Sequence, residues 1–187
     1  QARFMIAADS LARPEDGLEI SGTSGRKLLH ASLEVAGEGR SLLITSVGCE
    51  GDPRARVVEE VGKGAVKIYG RRASFYGMLE MGGPGAVLVT NGLRSMTLKS
   101  GGRSEMSLSA CTMDGKELGA SDLVSDSGGR AVWKVTVSPG ADAVLIIACM
   151  LSMIVIWKGQ SGAPAFGQRS GPGSRPGSQV HSRQASR

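Results

Sequence analysis

The chain is short of the residues that carry most enzyme chemistry. Its 187 residues include two histidines, three cysteines, two tryptophans, two tyrosines and three phenylalanines. Cys49, Cys111 and Cys149 are odd in number, far apart and never in a Cys-x-x-Cys pair. That argues against a disulfide framework and for free thiols in a reducing compartment. His30 and His181 have no ligand spacing with any cysteine, so no structural zinc site is expected. Gly82-Gly83-Pro84-Gly85 has neither the GxGxxG spacing nor the Lys-Ser/Thr of a phosphate loop, and it reads as a turn. Gly22-Thr23-Ser24-Gly25 fails the GxSxG spacing of a nucleophile elbow. His30 falls on the outer face of a strand and His181 close to the C-terminus, so neither belongs to a triad. The acids Glu59, Glu60, Asp114 and Glu117 are accounted for by solvated faces and turns. No catalytic residue, cofactor or metal is expected.

Acids are also missing from one whole region. Gly159 to Arg187 holds Arg169, Arg175, Arg183 and Arg187 and no Asp or Glu. Taking that +4 from the chain's net +5 leaves +1 for residues 1–158. A nucleic-acid-binding domain carries its basic footprint on the fold itself, so no nucleic-acid partner is expected. The region is almost all Gly, Ser, Pro, Arg and Gln, with Phe166 and Val180 its only large apolar residues. It cannot bury enough apolar surface to offset its ordering entropy. It reads as a basic tail, 159–187, that orders on a partner. Phe166, Arg169, Arg175, Arg183 and Arg187 are its candidate contacts, with an acidic protein surface or anionic lipid headgroups.

What is plentiful is glycine, 28 residues, set between short alternating runs. Residues 1–25 are mixed and read as an N-terminal extension. From Arg26 the period becomes two. Leu29, Ala31, Leu33 and Val35 share one face, and His30, Ser32 and Glu34 the solvent face. Arg54-Ala55-Arg56-Val57-Val58-Glu59-Glu60-Val61 fits either a strand or a helical face. Val66 and Ile68 point in while Lys67 points out. Further on, Met96 and Leu98, then Met106, Leu108 and Ala110, then Trp133, Val135 and Val137 oppose polar neighbours. Asn91-Gly92, Gly101-Gly102, Asp114-Gly115 and Gly128-Gly129 separate these runs as hairpin turns. The pattern is an antiparallel meander with one apolar face, and a sheet this long curls and closes.

Ser138 to Gly159 supplies something to close around. Ala143–Trp157 holds no charge. Ser138 stands as a candidate N-cap, Pro139 at the first helical position, Asp142 in the first turn, and Lys158-Gly159 at the end. The expected helix, 139–158, is apolar on every face and must be buried in protein or lipid. Its uncharged part spans roughly 22 Å, short of a hydrocarbon core of about 30 Å. A protein interior is favoured, with a short membrane span over 143–157 as the alternative. The fold class expected is mainly β: a closed antiparallel barrel of about ten to twelve strands around a central hydrophobic helix, over 26–158.

Phe75-Tyr76-Gly77, Gly115, Trp133-Lys134-Val135 and Gly140-Ala141-Asp142-Ala143-Val144-Leu145 carry a resemblance. In this order, from about Arg26 to Trp157, the chain resembles the tubby C-terminal-like superfamily, nearest its LURP-one-related and phospholipid-scramblase-like members. The resemblance implies a closed barrel of about twelve strands around a hydrophobic C-terminal helix. It also implies lipid binding as one functional reading. For that reading the candidate anion site is Lys63, Lys67, Arg71 and Arg72, placed around Tyr69 and Phe75. The competing account of the same cations is a charged strand edge.

Taken together, the residues lead to a non-enzymatic binding or scaffolding protein, a peripheral subunit of a larger assembly. Its expected partners are other protein subunits, with an anionic membrane as a further surface. The alternatives are a single-pass membrane subunit and a scramblase-like lipid-binding protein. The expected location is intracellular and reducing. A peripheral place on a membrane, or an organelle reached after loss of a targeting peptide, is left open by the Gln at position 1.

Overall fold

The computed structural model describes residues 1–37, 39–48, 53–101, 104 and 106–157. Twelve strands close into one antiparallel barrel. They are β1 (Ala2–Ala7), β2 (Leu18–Gly22), β3 (Lys27–Ala36), β4 (Gly39–Ser46), β5 (Ala55–Glu60) and β6 (Ala65–Tyr69). β7 (Phe75–Gly82), β8 (Gly85–Thr90), β9 (Leu93–Ser100), β10 (Leu108–Thr112), β11 (Glu117–Ser125) and β12 (Ala131–Val137) complete it. Every strand pairs with its neighbours in sequence, and β1 pairs with β12 to shut the ring, Phe4 opposite Val135. A one-turn helix, α1 (Ala8–Leu11), and a short 3-10 turn link β1 to β2. Closure removes every free sheet edge.

Alternation decides what lines the wall. Met96, Leu98, Met106, Leu108, Ala110, Trp133, Val135 and Val137 are buried, as their spacing predicts. The ambiguous run over 54–61 is a strand, with Ala55 and Val57 inward. β-branching and the pairing of Val57 with Ile68 settle it. Trp133 is fully buried, and its indole Nε1 donates to the Met106 carbonyl at 2.9 Å. The Ser121 hydroxyl donates to the same carbonyl at 3.0 Å and accepts from the Leu108 N–H at 3.2 Å. These bonds tie the segment between β9 and β10 into the core.

Three expectations about the strands need correction. Residues 1–25 are no extension: Ala2–Ala7 and Leu18–Gly22 are barrel strands. The run Phe4-Met5-Ile6 alternates in and out, which a mixed composition on either side obscured. Val35 is 68% exposed, because β3 and β4 run on as a hairpin arm past the filled interior. Glu59 is buried rather than solvated, for a reason given below.

The helix lies inside the barrel. Ile146, Met150, Ile154 and Val155 are at most 8% exposed. It is α-helical over Ala143–Leu151, here α2, and continues as a π-helical turn over Ser152–Trp157. It therefore starts later than the expected 139–158. Gly140, at φ +82, cannot belong to a right-handed helix, and Ser138–Ala141 forms a turn closed by the Ala141 N–H on the Ser138 carbonyl. Asp142 is the N-cap instead of Ser138, and its Oδ1 accepts from the Leu145 N–H at 3.1 Å. Lys158 lies outside the described residues. The Ser152 hydroxyl donates to the Ala148 carbonyl at 2.6 Å, where the helix loosens to the wider turn. One wall approaches especially closely: a Cβ at Gly119 would stand 3.0 Å from Ile146 Cγ2 and 2.9 Å from the Thr136 carbonyl. Residues 146–156 are buried among the strands of their own chain. Among the described residues no helix is long and apolar enough to cross a membrane.

Candidate functional site

Antiparallel order gives the barrel two distinct rims. The turns after the even-numbered strands, and the helix N-terminus that follows β12, share one rim, here the upper. The turns after the odd-numbered strands share the lower rim, where the helix ends at Trp157. This arrangement divides the expected anion site. Lys63, in the turn after β5, and Lys67, in β6, both bond the Glu60 carboxylate toward the lower rim, at 3.0 and 2.7 Å. Hydrogen bonds from Lys67 and then Lys63 hold the Glu60 carboxyl below its ordinary pKa. The Lys67 ammonium is raised by the same bond. Arg71 and Arg72 lie at the opposite end of β6, in the upper turn before β7. The four basic residues are thus spread along β6: Lys63 before its lower end, Lys67 at its middle and held by Glu60, Arg71 and Arg72 past its upper end.

The upper turn is unusual in its backbone. Arg72 and Ala73 have φ of 56° and 53°, a left-handed pair that β-carbon-bearing residues seldom adopt. The turn ends on Phe75, whose ring meets Tyr69 edge-on at 5.7 Å. Phe75 is 58% exposed and Tyr76 also lies open. Partial burial raises the Tyr76 hydroxyl above its ordinary pKa, and the nearby Asp142 charge adds to the shift.

These aromatics belong to a larger set that sequence reasoning missed. Six of the eight large hydrophobics exposed on the described surface occupy the upper rim: Leu28, Val47, Phe75, Tyr76, Leu93 and Met113. Each of its five strand-to-strand connections contributes at least one. Local periodicity could not reveal this, because the residues lie in different turns and only strand direction collects them.

The lower rim has a cavity of about 230 Å³ between Glu59, Gly64, Met81, Ile156 and Trp157. Glu59 points into the barrel mouth here and accepts the Arg40 N–H at 3.1 Å. The Arg40 guanidinium reaches the Ile156 carbonyl at 3.4 Å, meeting the end of the helix. The inward carboxylate is thus explained by backbone and cation nearby, where the sequence alone placed it in water. His30 is half-buried, with its ring over Gly17. Cys111 and Cys149 are free thiols, and burial pushes the Cys149 thiol far above its ordinary pKa. Among the described residues no group of acids, histidines and cysteines could hold a metal. Phe166, Arg169, Arg175, Arg183, Arg187, His181 and Cys49 lie outside the described residues.

With the geometry in hand, comparison with known proteins is informative at one level. No protein-family model matches the chain. No curated protein matches it in sequence. In three dimensions it is similar to the X-ray structure of a protein from Arabidopsis thaliana, with a TM-score of 0.59 and 13% identity. The match covers 86% of this chain and 91% of the plant protein. At that identity the likeness concerns the fold alone.

Proposed function

We propose that this chain is a non-catalytic docking protein, a peripheral subunit of a larger assembly, which engages its partner through the upper rim. The observation that carries the reading is the set of six large apolar side chains left in solvent on that one rim. Large apolar side chains exposed together at one end of a fold mark an interaction site more than the same residues spread over its whole surface. The core is filled by the chain's own helix, so the outer surface is where recognition takes place. We further infer kinship with the tubby C-terminal-like superfamily, on the support of the shared architecture and the residues quoted for the resemblance. The tail over 159–187 is proposed as a second contact, a basic strap on an acidic partner surface. A reducing compartment accords with Cys111 and Cys149 as free thiols.

The test is native fractionation of cells expressing the full chain or the variant Phe75→Ser with Leu93→Ser. The parent chain should migrate in a large complex or pellet with membranes, and the variant should migrate as a folded monomer. Identical monomeric behaviour of both chains defeats the reading.

A further inference from the structure

The turn between β6 and β7 has a further property in its sequence. It reads Gly70-Arg71-Arg72-Ala73-Ser74 and runs directly into Phe75 and Tyr76. Every residue from Arg71 to Tyr76 is exposed. Among the described residues Arg71 and Arg72 form no ion pair. Ser74 thus follows two unpaired arginines and precedes an open aromatic ring. Among the described serines and threonines, only Ser74 and Thr97 have an arginine three residues earlier. Thr97 is half-buried in β9, opposite Val87 on one side and Cys111 on the other, and its hydroxyl donates to the Cys111 carbonyl at 3.5 Å. An enzyme would have to open the barrel to reach it.

Ser74 needs no such opening, because its turn is weakly held. The turn buries no side chain. The Ser74 N–H and hydroxyl both donate to the Arg71 carbonyl, at 3.2 and 2.9 Å. Arg72 and Ala73 have φ of 56° and 53°, unfavourable for residues with a β-carbon, so straightening the turn relieves them. Release of the turn loosens the Tyr69–Phe75 end of the ladder and leaves Ile68 paired with Gly77. The segment can then lie extended in the groove of another protein.

We propose that Ser74 is a phosphorylation site for a serine/threonine protein kinase whose substrate groove presents carboxylates to arginine. Arg71 and Arg72 supply the charge-assisted bonds that seat the segment, and the Phe75 ring fills an apolar pocket beyond the acceptor. The phosphoryl donor is magnesium-bound ATP. The Ser74 Oγ forms a bond to the γ-phosphorus, and the bond from that phosphorus to the β,γ-bridging oxygen breaks. ADP leaves with the electron pair, and the hydroxyl proton passes to the catalytic carboxylate of the kinase. The product carries about −1.5 to −2 charge at pH 7, directly beside Phe75 and Tyr76. Covering these rings would then also take that charge out of water. Arg71 and Arg72 can close on the new phosphate, which withdraws them from any partner. Phosphorylation thus releases the upper rim, a consequence that rests on the docking role proposed above; the acceptor site itself does not rest on it.

The experiment incubates the purified full chain with magnesium ATP and the catalytic subunit of cyclic-AMP-dependent protein kinase, an arginine-directed enzyme, and locates phosphate by mass spectrometry. Phosphate is expected on Ser74 in the folded chain, shown to be folded by a Cys149 thiol that stays closed to a disulfide reagent. Arg71→Ala and Arg72→Ala should each slow incorporation at Ser74 by roughly tenfold or more. Ser178 and Ser186 also follow an arginine at the same distance and lie outside the described residues. Phosphate confined to those two, incorporation at Ser74 only after unfolding, or a rate indifferent to both arginines would overturn the proposal. Native fractionation then reads the consequence. Ser74→Asp should leave the large complex and Ser74→Ala should remain in it. If Ser74 accepts phosphate while Ser74→Asp stays in the complex, the release falls and the acceptor site stands. If the parent chain itself runs as a monomer, the docking role falls, and the kinase assay alone decides the acceptor.

Discussion

Replacement of Gly119 by alanine tests a close contact between helix and wall. In an ordinary strand this change is favourable by roughly 0.5–1 kcal/mol, because glycine loses more backbone freedom on folding. Here the new methyl would meet the Thr136 carbonyl at 2.9 Å and Ile146 Cγ2 at 3.0 Å. Gly119 lies on β11 opposite Val137, and Ile146 is held in the first turns of α2, so neither neighbour is free to withdraw. Overpacking of this sort costs about 1–3 kcal/mol. The clash wins, and the variant should be less stable than the parent by about 0.5–2 kcal/mol, a fall in Tm of about 2–4 °C per kcal/mol. Ile146→Ala, which alone should cost about 2–5 kcal/mol, removes the side-chain obstruction and leaves the Thr136 carbonyl in place. In that background Gly119→Ala should cost less than it does in the parent, so a double-mutant cycle by urea denaturation should show coupling of about 0.5–1 kcal/mol. A single variant more stable than the parent, or strictly additive effects, would show that α2 does not lie against β11 at this position.

Asp142→Ala removes the acceptor for the Leu145 N–H and should destabilise the barrel by about 0.5–2 kcal/mol in urea titration, with Asp142→Asn recovering most of it; parent-like stability in the alanine variant would deny the cap. Glu60 is bonded in the folded state and its pKa lies below the ordinary value, so its contribution is present above the unfolded carboxylate pKa and is lost as pH falls through the folded one. NMR titration of its side-chain carboxyl should show that depressed midpoint, and Lys67→Met should move it upward; an unchanged midpoint would remove Lys67 as the main cause. The Cys149 thiol is buried and its ionisation suppressed, so a disulfide reagent should label it only on unfolding, at a rate that follows denaturant. Rapid labelling in buffer would mean that the helix is not enclosed.

The wall of the barrel was legible because its signals are local. Trp133, Val135 and Val137 alternate with Lys134 and Thr136, and Asn91-Gly92 can take the left-handed turn that Asn91 adopts at φ 51. The helix was legible from its lack of charge over Ala143–Trp157. Its first residue was not, because Ser138-Pro139 fits a helix start as well as Asp142 does, and only the backbone at Gly140 separates them. β1 escaped notice because its partner, β12, lies more than a hundred residues away. The burial of Glu59 depends on Arg40 from another hairpin and on the end of the helix. The candidate site was the least legible of all. Lys63, Lys67, Arg71 and Arg72 are close in sequence and divided in space, whereas Leu28, Phe75, Leu93 and Met113 are scattered in sequence and gathered on one rim. Functional surfaces assembled from turns follow strand direction, which composition does not encode.

Closure of β1 on β12 also governs how the chain reaches its native state. Phe4 cannot find Val135 until more than a hundred and thirty residues have been synthesised, and the core-filling segment comes later still. Up to that moment the meander holds an apolar face with nothing to cover it and two unpaired edges. Long-range pairing of this kind makes folding slow and leaves intermediates open to aggregation. A nascent chain stopped short of Ala143 would have its walls and no filling. Such a chain should depend on chaperones for solubility, and the last fifteen described residues would then act as the step that commits the whole barrel to its folded form.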